Sequence, residues 1–137
     1  MTSLSILRGT AIALFTAATV KDCAPGASLF TINAASIQPP SPTPGEVINL
    51  HLEYSVPEGV DIMDGTATYA ITYNFIPFKP TVEPLCENIP CPLGPGHYVN
   101  NTQSLWPDAV SGTFRSRMTW EDVNNTLLLC LDISGKI

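Results

Sequence analysis

Charge is what this sequence has least of. Asp, Glu, Lys and Arg make up only 13% of its 137 residues, against ~25% in an ordinary soluble domain. Cations are scarcest: six Lys and Arg stand against twelve acids, a net charge of −6. So few dispersed cations cannot track a phosphate backbone, which excludes a nucleic-acid binder. The same balance makes an anionic membrane surface a poor docking partner. No apolar run reaches the ~20 residues of a membrane-spanning helix. There is no GxSxG elbow and no HExxH pair, so two common hydrolase signatures are missing. Thirteen prolines and nine glycines leave little room for long helices. What is present is an apolar fraction of 45%, enough for one core in one domain and too much for charge-driven disorder.

The amino-terminal stretch reads as a leader. Gly9–Val20 is uncharged and follows Arg8. It fits the apolar region of a secretory signal peptide, with Thr16 and Ala18 as small residues before a cleavage point. A buried N-terminal strand or helix is the competing reading. Residues 1–20 are therefore expected to be removed, leaving 21–137 as the mature domain and, without Arg8, a net charge near −7.

Secretion places the four cysteines in an oxidising compartment, where an even number implies two disulfides. Three pairings are possible. Cys86 and Cys91 close a short loop bent by Pro90; the remaining pair, Cys23 and Cys130, would tie the ends of the domain together. Chain entropy makes the long loop worth about 4–5 kcal/mol and the short one about 2 kcal/mol. Zinc is a poor alternative, because CxxxxC is not a usual ligand spacing and His51 and His97 form no pair with it. Sequons at Asn100 and Asn124 predict exposed turns open to glycosylation.

Strand signals dominate the rest. In Val47–Tyr54, Ile48, Leu50, Leu52 and Tyr54 share one face. In Thr66–Phe75 the apolar face is Ala67, Tyr69, Ile71, Tyr73 and Phe75. Thr113–Trp120 sets Phe114, Met118 and Trp120 against Arg115 and Arg117. Asn125–Ile133 aligns Leu127, Leu129, Leu131 and Ile133, opposite Cys130. Ser28–Ala34 and His97–Asn101 are shorter candidates. Turn clusters separate these runs, the longest being the connector Pro39–Gly45. About six or seven half-buried strands describe an all-β, two-sheet sandwich of immunoglobulin-like size.

No catalytic set emerges. His51 lies on the polar face of its strand, and Asp61 with Asp64 offers too few oxygens for calcium. The informative excess is apolar: four tyrosines, two tryptophans and five phenylalanines, with Ile76-Pro77-Phe78 and Leu105-Trp106-Pro107 as apolar loops. These residues either fill an ordinary core or, if the sheets splay, line a pocket for a long apolar ligand; alternation does not separate the two.

The order of landmarks is more specific than any one of them. Asp22-Cys23 opens the mature chain, and Pro42-x-Pro44-Gly45-Glu46 precedes a strand. Leu85-Cys86-x4-Cys91-Pro92-Leu93 follows another. Pro107-x4-Gly112-Thr113-Phe114 leads into the penultimate strand and Leu129-Cys130 sits in the last. From Lys21 to Ile133 this resembles the ML family, the MD-2-related lipid-recognition domain. The family includes phosphatidylglycerol/phosphatidylinositol transfer proteins and the sterol carrier of Niemann–Pick type C disease. The four cysteines look most like the phospholipid-transfer branch; Ser111-Gly112 departs from that family's usual Pro-Gly. The resemblance implies a sandwich with a lipid-binding cavity between its sheets. It marks Phe78, Trp106, Ile71 and Leu131 as lipid-contacting positions. Ile76, Tyr69, Tyr73, Leu50, Phe114 and Met118 join them as the neighbouring apolar positions. The expected protein is a monomeric, non-enzymatic carrier of sterol or phospholipid, secreted or endolysosomal. It touches membranes transiently and needs no cofactor or metal. A secreted adhesion or receptor-binding sandwich with a filled core is the alternative.

Overall fold

The computed structural model describes residues 17–108 and 111–136; most of the expected leader, residues 1–16, lies outside them. Strands β1 (Thr19–Asp22), β9 (Leu127–Lys136), β8 (Thr113–Asp122) and β4 (Gly65–Tyr73) form a large antiparallel sheet in that order. Its far edge is β5 (Ile76–Pro77) and β6 (Thr81–Pro84), both paired to β4. The small sheet is β2 (Thr31–Gln38), β3 (Val47–Val56) and β7 (Gly96–Leu105). A 3₁₀ turn, Leu85–Glu87, follows β6. The expected two-sheet sandwich is therefore what forms.

Period-two alternation builds the core. Leu52, Tyr54 and Val56 of β3 face Ala67 of β4, Met118 and Trp120 of β8, and Leu129 and Leu131 of β9, all buried. Tyr54 stacks on Phe30 and Tyr98 at 5.6 Å each and meets Trp120 edge-on at 5.3 Å, geometries that add to plain burial. Cys23–Cys130 and Cys86–Cys91 pair as expected, with Cα separations of 5.2 and 5.5 Å, inside the usual range.

The strands differ from the sequence reading at four places. First, a strand absent from the sequence assignments, β1, runs from Thr19 to Asp22 and pairs with β9. Second, β2 runs later than Ser28–Ala34 because a bulge between Ile32 and Ala34 resets its alternation. A register shift between Trp120 and Glu121 does the same in β9, burying Leu128 as well as Leu129. Third, Phe75 is not on the inner face of β4. Asn74 and Phe75 have φ of 50° and 66°, the two-residue hairpin geometry that matches strand twist, and Phe75 stands 86% exposed. Fourth, β7 extends to Leu105 rather than ending at Asn101.

Candidate functional site

The core does not run the length of the sandwich. A second, smaller cluster, Ile37, Ile48 and Trp106, sits apart, with Phe114 and Ile133 packed against it. Next to it the sheets part around a pocket of about 450 Å³ that opens to solvent past the exposed Thr102 and Ser104 of β7 (Gly96–Leu105). Ile48 and Leu50 of β3 line one side. Tyr69 and Ile71 of β4, Phe114, Ser116 and Met118 of β8 and Ile133 of β9 line the other. Trp106 lines it beyond the end of β7 and meets Phe114 edge-on at 5.3 Å.

The space stays open because β7 contributes little bulk. Register places Asn100, Thr102 and Ser104 opposite Leu52, Leu50 and Ile48, on the inward phase. Short polar side chains there cannot fill the gap that leucines would fill. Glu83 and Asn88, beside the β6 edge, complete the lining. A hydrogen-bond chain closes this flank: Tyr69 Oη donates to Asn88 Oδ1 (3.0 Å), Asn88 Nδ2 to Glu83 Oε1 (3.2 Å), and Asn100 Nδ2 to the Asn88 carbonyl (3.1 Å). Burial, and secondarily the charge of Glu83, pushes the Tyr69 phenol up, so it remains a neutral donor. The cavity thus offers an apolar chamber with a polar flank. Among its lining residues only Glu83 is charged.

Of the residues expected from sequence, Leu50, Tyr69, Ile71, Trp106, Phe114 and Met118 come together on the cavity wall. Leu131 is fully buried in the main core instead. Tyr73 lies off the lining, its hydroxyl donating to the Ser111 carbonyl at 3.4 Å. Ile76 and Phe78 also lie off it, 62% and 56% exposed. The chain turns at Asn74-Phe75 and pairs back on β4, Phe78 N–H donating to the Ile71 carbonyl (2.8 Å). Ile48 and Ile133 were legible as members of the apolar stripes. Thr102, Ser104, Ser116, Glu83 and Asn88 carry no apolar signal and could not be found that way.

The two sequons differ. Asn124 occupies the exposed β8–β9 turn, where Asp122 Oδ1 accepts from the backbone N–H groups of Asn124 and Thr126. Asn100 is not in a turn: it sits within β7, half-buried, with its amide nitrogen engaged by Asn88.

On the outer face of the small sheet, His51 Nε2 lies 2.8 Å from Glu53 Oε2 and His51 Nδ1 2.8 Å from Asn101 Oδ1. The hydrogen bond to Glu53 raises the His51 pKa above 6.5, and His51 holds Glu53 below 4.5. A raised histidine stabilises fully below its unfolded value and less as pH rises through the folded one; a depressed carboxylate stabilises above its unfolded value. His51→Gln is therefore expected to lower the denaturant midpoint most between pH 4.5 and 6.5. The difference should fade at alkaline pH; urea titrations across that range check it, and a constant difference would contradict the pairing.

The ML domain family profile matches residues 17–137. The chain belongs to the ML-domain family. A Dictyostelium discoideum protein that carries the name of a phosphatidylglycerol/phosphatidylinositol transfer protein is 27% identical over 116 residues, 82% of this chain and 81% of that one. A Mycosarcoma maydis phosphatidylglycerol/phosphatidylinositol transfer protein is 26% identical over 121 residues, 82% of this chain and 62% of its own length. Among solved structures, a Niemann–Pick type C2 protein of the Japanese carpenter ant superposes with a TM-score of 0.66 at 14% identity. The match covers 87% of this chain and 98% of that one. Chicken MD-1 complexed with lipid IVa gives 0.56 at 14% identity, over 87% and 88%. At such identities these two structures establish the ML sandwich fold and nothing finer.

Proposed function

We propose that this ML-domain protein is a non-enzymatic carrier that buries the apolar part of one sterol or phospholipid between its sheets. The observation that carries the reading is the chamber of about 450 Å³ walled by Leu50, Ile71, Phe114 and Met118, within the ~300–1,000 Å³ of small-molecule sites. Each acyl CH₂ moved from water into such a wall gains about 0.8 kcal/mol, so desolvation alone holds the chain and no covalent step is needed. The names of the two relatives support phospholipid as cargo. The two disulfides support a route to the cell exterior or the endolysosomal lumen. The carrier works as a monomer, with brief membrane contact to load and unload. A filled-core adhesion module has no use for this chamber.

Organic extraction of protein purified without detergent, followed by mass spectrometry, is expected to yield about one lipid per chain. Delipidated protein should take up a fluorescent phospholipid or sterol. Ile71→Ser should cut that uptake severalfold for about 1 kcal/mol of stability. Neither extracted lipid nor uptake would overturn the carrier reading.

A further inference from the structure

Four of the five cations among the described residues are gathered on one face. Lys21, Arg115, Arg117 and Lys136 all project from the outer side of the large sheet, leaving Lys79 alone elsewhere among the described residues. The alternation that turns Val20, Phe114, Met118 and Ile133 inward turns these four outward. Asp132 lies among them, held by Arg117 with two hydrogen bonds of 2.8 and 2.9 Å, and Glu121 stands on the same face toward the far end of β8. Arg115 and Lys136 form no ion pair among the described residues.

Those two cations flank a second depression, about 440 Å³, lined also by the hydroxyl-bearing Thr19, Thr72 and Ser134. Phe75 forms its rim, 86% exposed with φ of 66°. A bulky side chain in the left-handed region is uncommon, and holding an aromatic ring in water adds to the cost. The tip is nevertheless fixed: Asn74 N–H donates to the Thr113 carbonyl at 2.8 Å, and Asn74 Oδ1 accepts from Thr113 N–H at 2.9 Å. Phe114 lines both this depression and the inter-sheet cavity, so one side chain is common to the two.

We infer that this face docks on anionic phospholipid bilayers. Phosphate headgroups enter the hydroxyl-lined depression against Arg115 and Lys136, and the Phe75 ring enters the interfacial zone, where aromatic residues are favoured. Cations and one apolar anchor together give reversible binding where either alone is marginal. The acidic remainder of the molecule is repelled by the same surface, so only this face approaches it. Summed charge argued against an anionic membrane; the placement of charge on the fold argues for one. The inference rests on the carrier reading for its purpose, and on the geometry of this face for its existence.

Cosedimentation with vesicles of phosphatidylcholine, with and without phosphatidylglycerol, tests it. Wild type is expected to bind only the anionic vesicles and to be released by salt, a result that requires no variant. Arg115→Glu with Lys136→Glu should reduce the bound fraction about tenfold, and Phe75→Ser should reduce it severalfold. Arg115→Lys should bind like wild type. All should keep the lipid recovered by organic extraction, which separates failure of docking from failure of the carrier reading. Equal binding to neutral and anionic vesicles overturns the inference, as does wild-type binding by the folded double Glu variant. Titratable binding of inorganic phosphate without vesicle binding would mark a free-anion site and overturn it too.

Discussion

Ser116→Trp is expected to abolish lipid uptake while leaving the sandwich folded. Ser116 lies on β8 between Ile71 of β4 and Ile133 of β9 in the sheet register, and all three line the cavity. In a filled core an added side chain of that size costs about 1–3 kcal/mol or more. Here about 450 Å³ can receive it. The indole then occupies the space a lipid would take, and its buried apolar area offsets any strain. Uptake of a fluorescent lipid should fall at least about thirtyfold, the equivalent of ~2 kcal/mol, and the urea midpoint should hold or rise. Unchanged uptake would place the lipid elsewhere. A stability loss of about 3 kcal/mol would mean that the sheets close on a filled core.

Replacing Cys23 and Cys130 together by serine should remove about 4–5 kcal/mol of folding stability, a large share of the ~5–15 kcal/mol typical of a domain. The bridge spans 107 residues, so it restricts most of the unfolded chain. In the folded state its neighbourhood stays docked without it. Cys23 N–H donates to the Cys130 carbonyl at 3.1 Å, and Leu29 and Phe30 N–H groups donate to the Leu127 and Leu128 carbonyls. The loss therefore acts on the unfolded state. Opening Cys86–Cys91, which spans 5 residues, should cost about 2 kcal/mol. Urea unfolding of the two double variants beside wild type gives both numbers; a larger cost for the short loop would contradict the entropic account.

Local pattern decided more of this protein than its low charge suggests. The stripe Ile48, Leu50, Leu52, Tyr54 on β3 and the set Phe114, Met118, Trp120 on β8 were legible because strand alternation is a property of consecutive residues. The disulfide pairing was legible from cysteine spacing. The family followed from landmark order, and with it the expectation of a cavity. Phe75 was misplaced because the alternation of β4 was carried past Tyr73 into the hairpin turn, where the backbone reverses. Ile76 and Phe78, marked by the resemblance and by their place in an apolar loop, lie beyond that turn, where the chain pairs back on β4. Asn100 was expected in an exposed turn because of its sequon, yet it lies within β7, paired with β3 in a register that turns it inward.

The sequence alone determined that the chain forms a disulfide-tied two-sheet sandwich of the ML family, since strand period, turn residues and cysteine spacing are written in short stretches. Only the tertiary structure decided where that sandwich is hollow, because the gap depends on Thr102 and Ser104 standing beside Leu50 and Ile48 on the inward phase of the small sheet, from a strand some fifty residues away. It also decided that an acidic protein has a basic face. Lys21, Arg115 and Lys136 come from three strands, and net charge carries no information about which side of a sheet those strands turn to solvent.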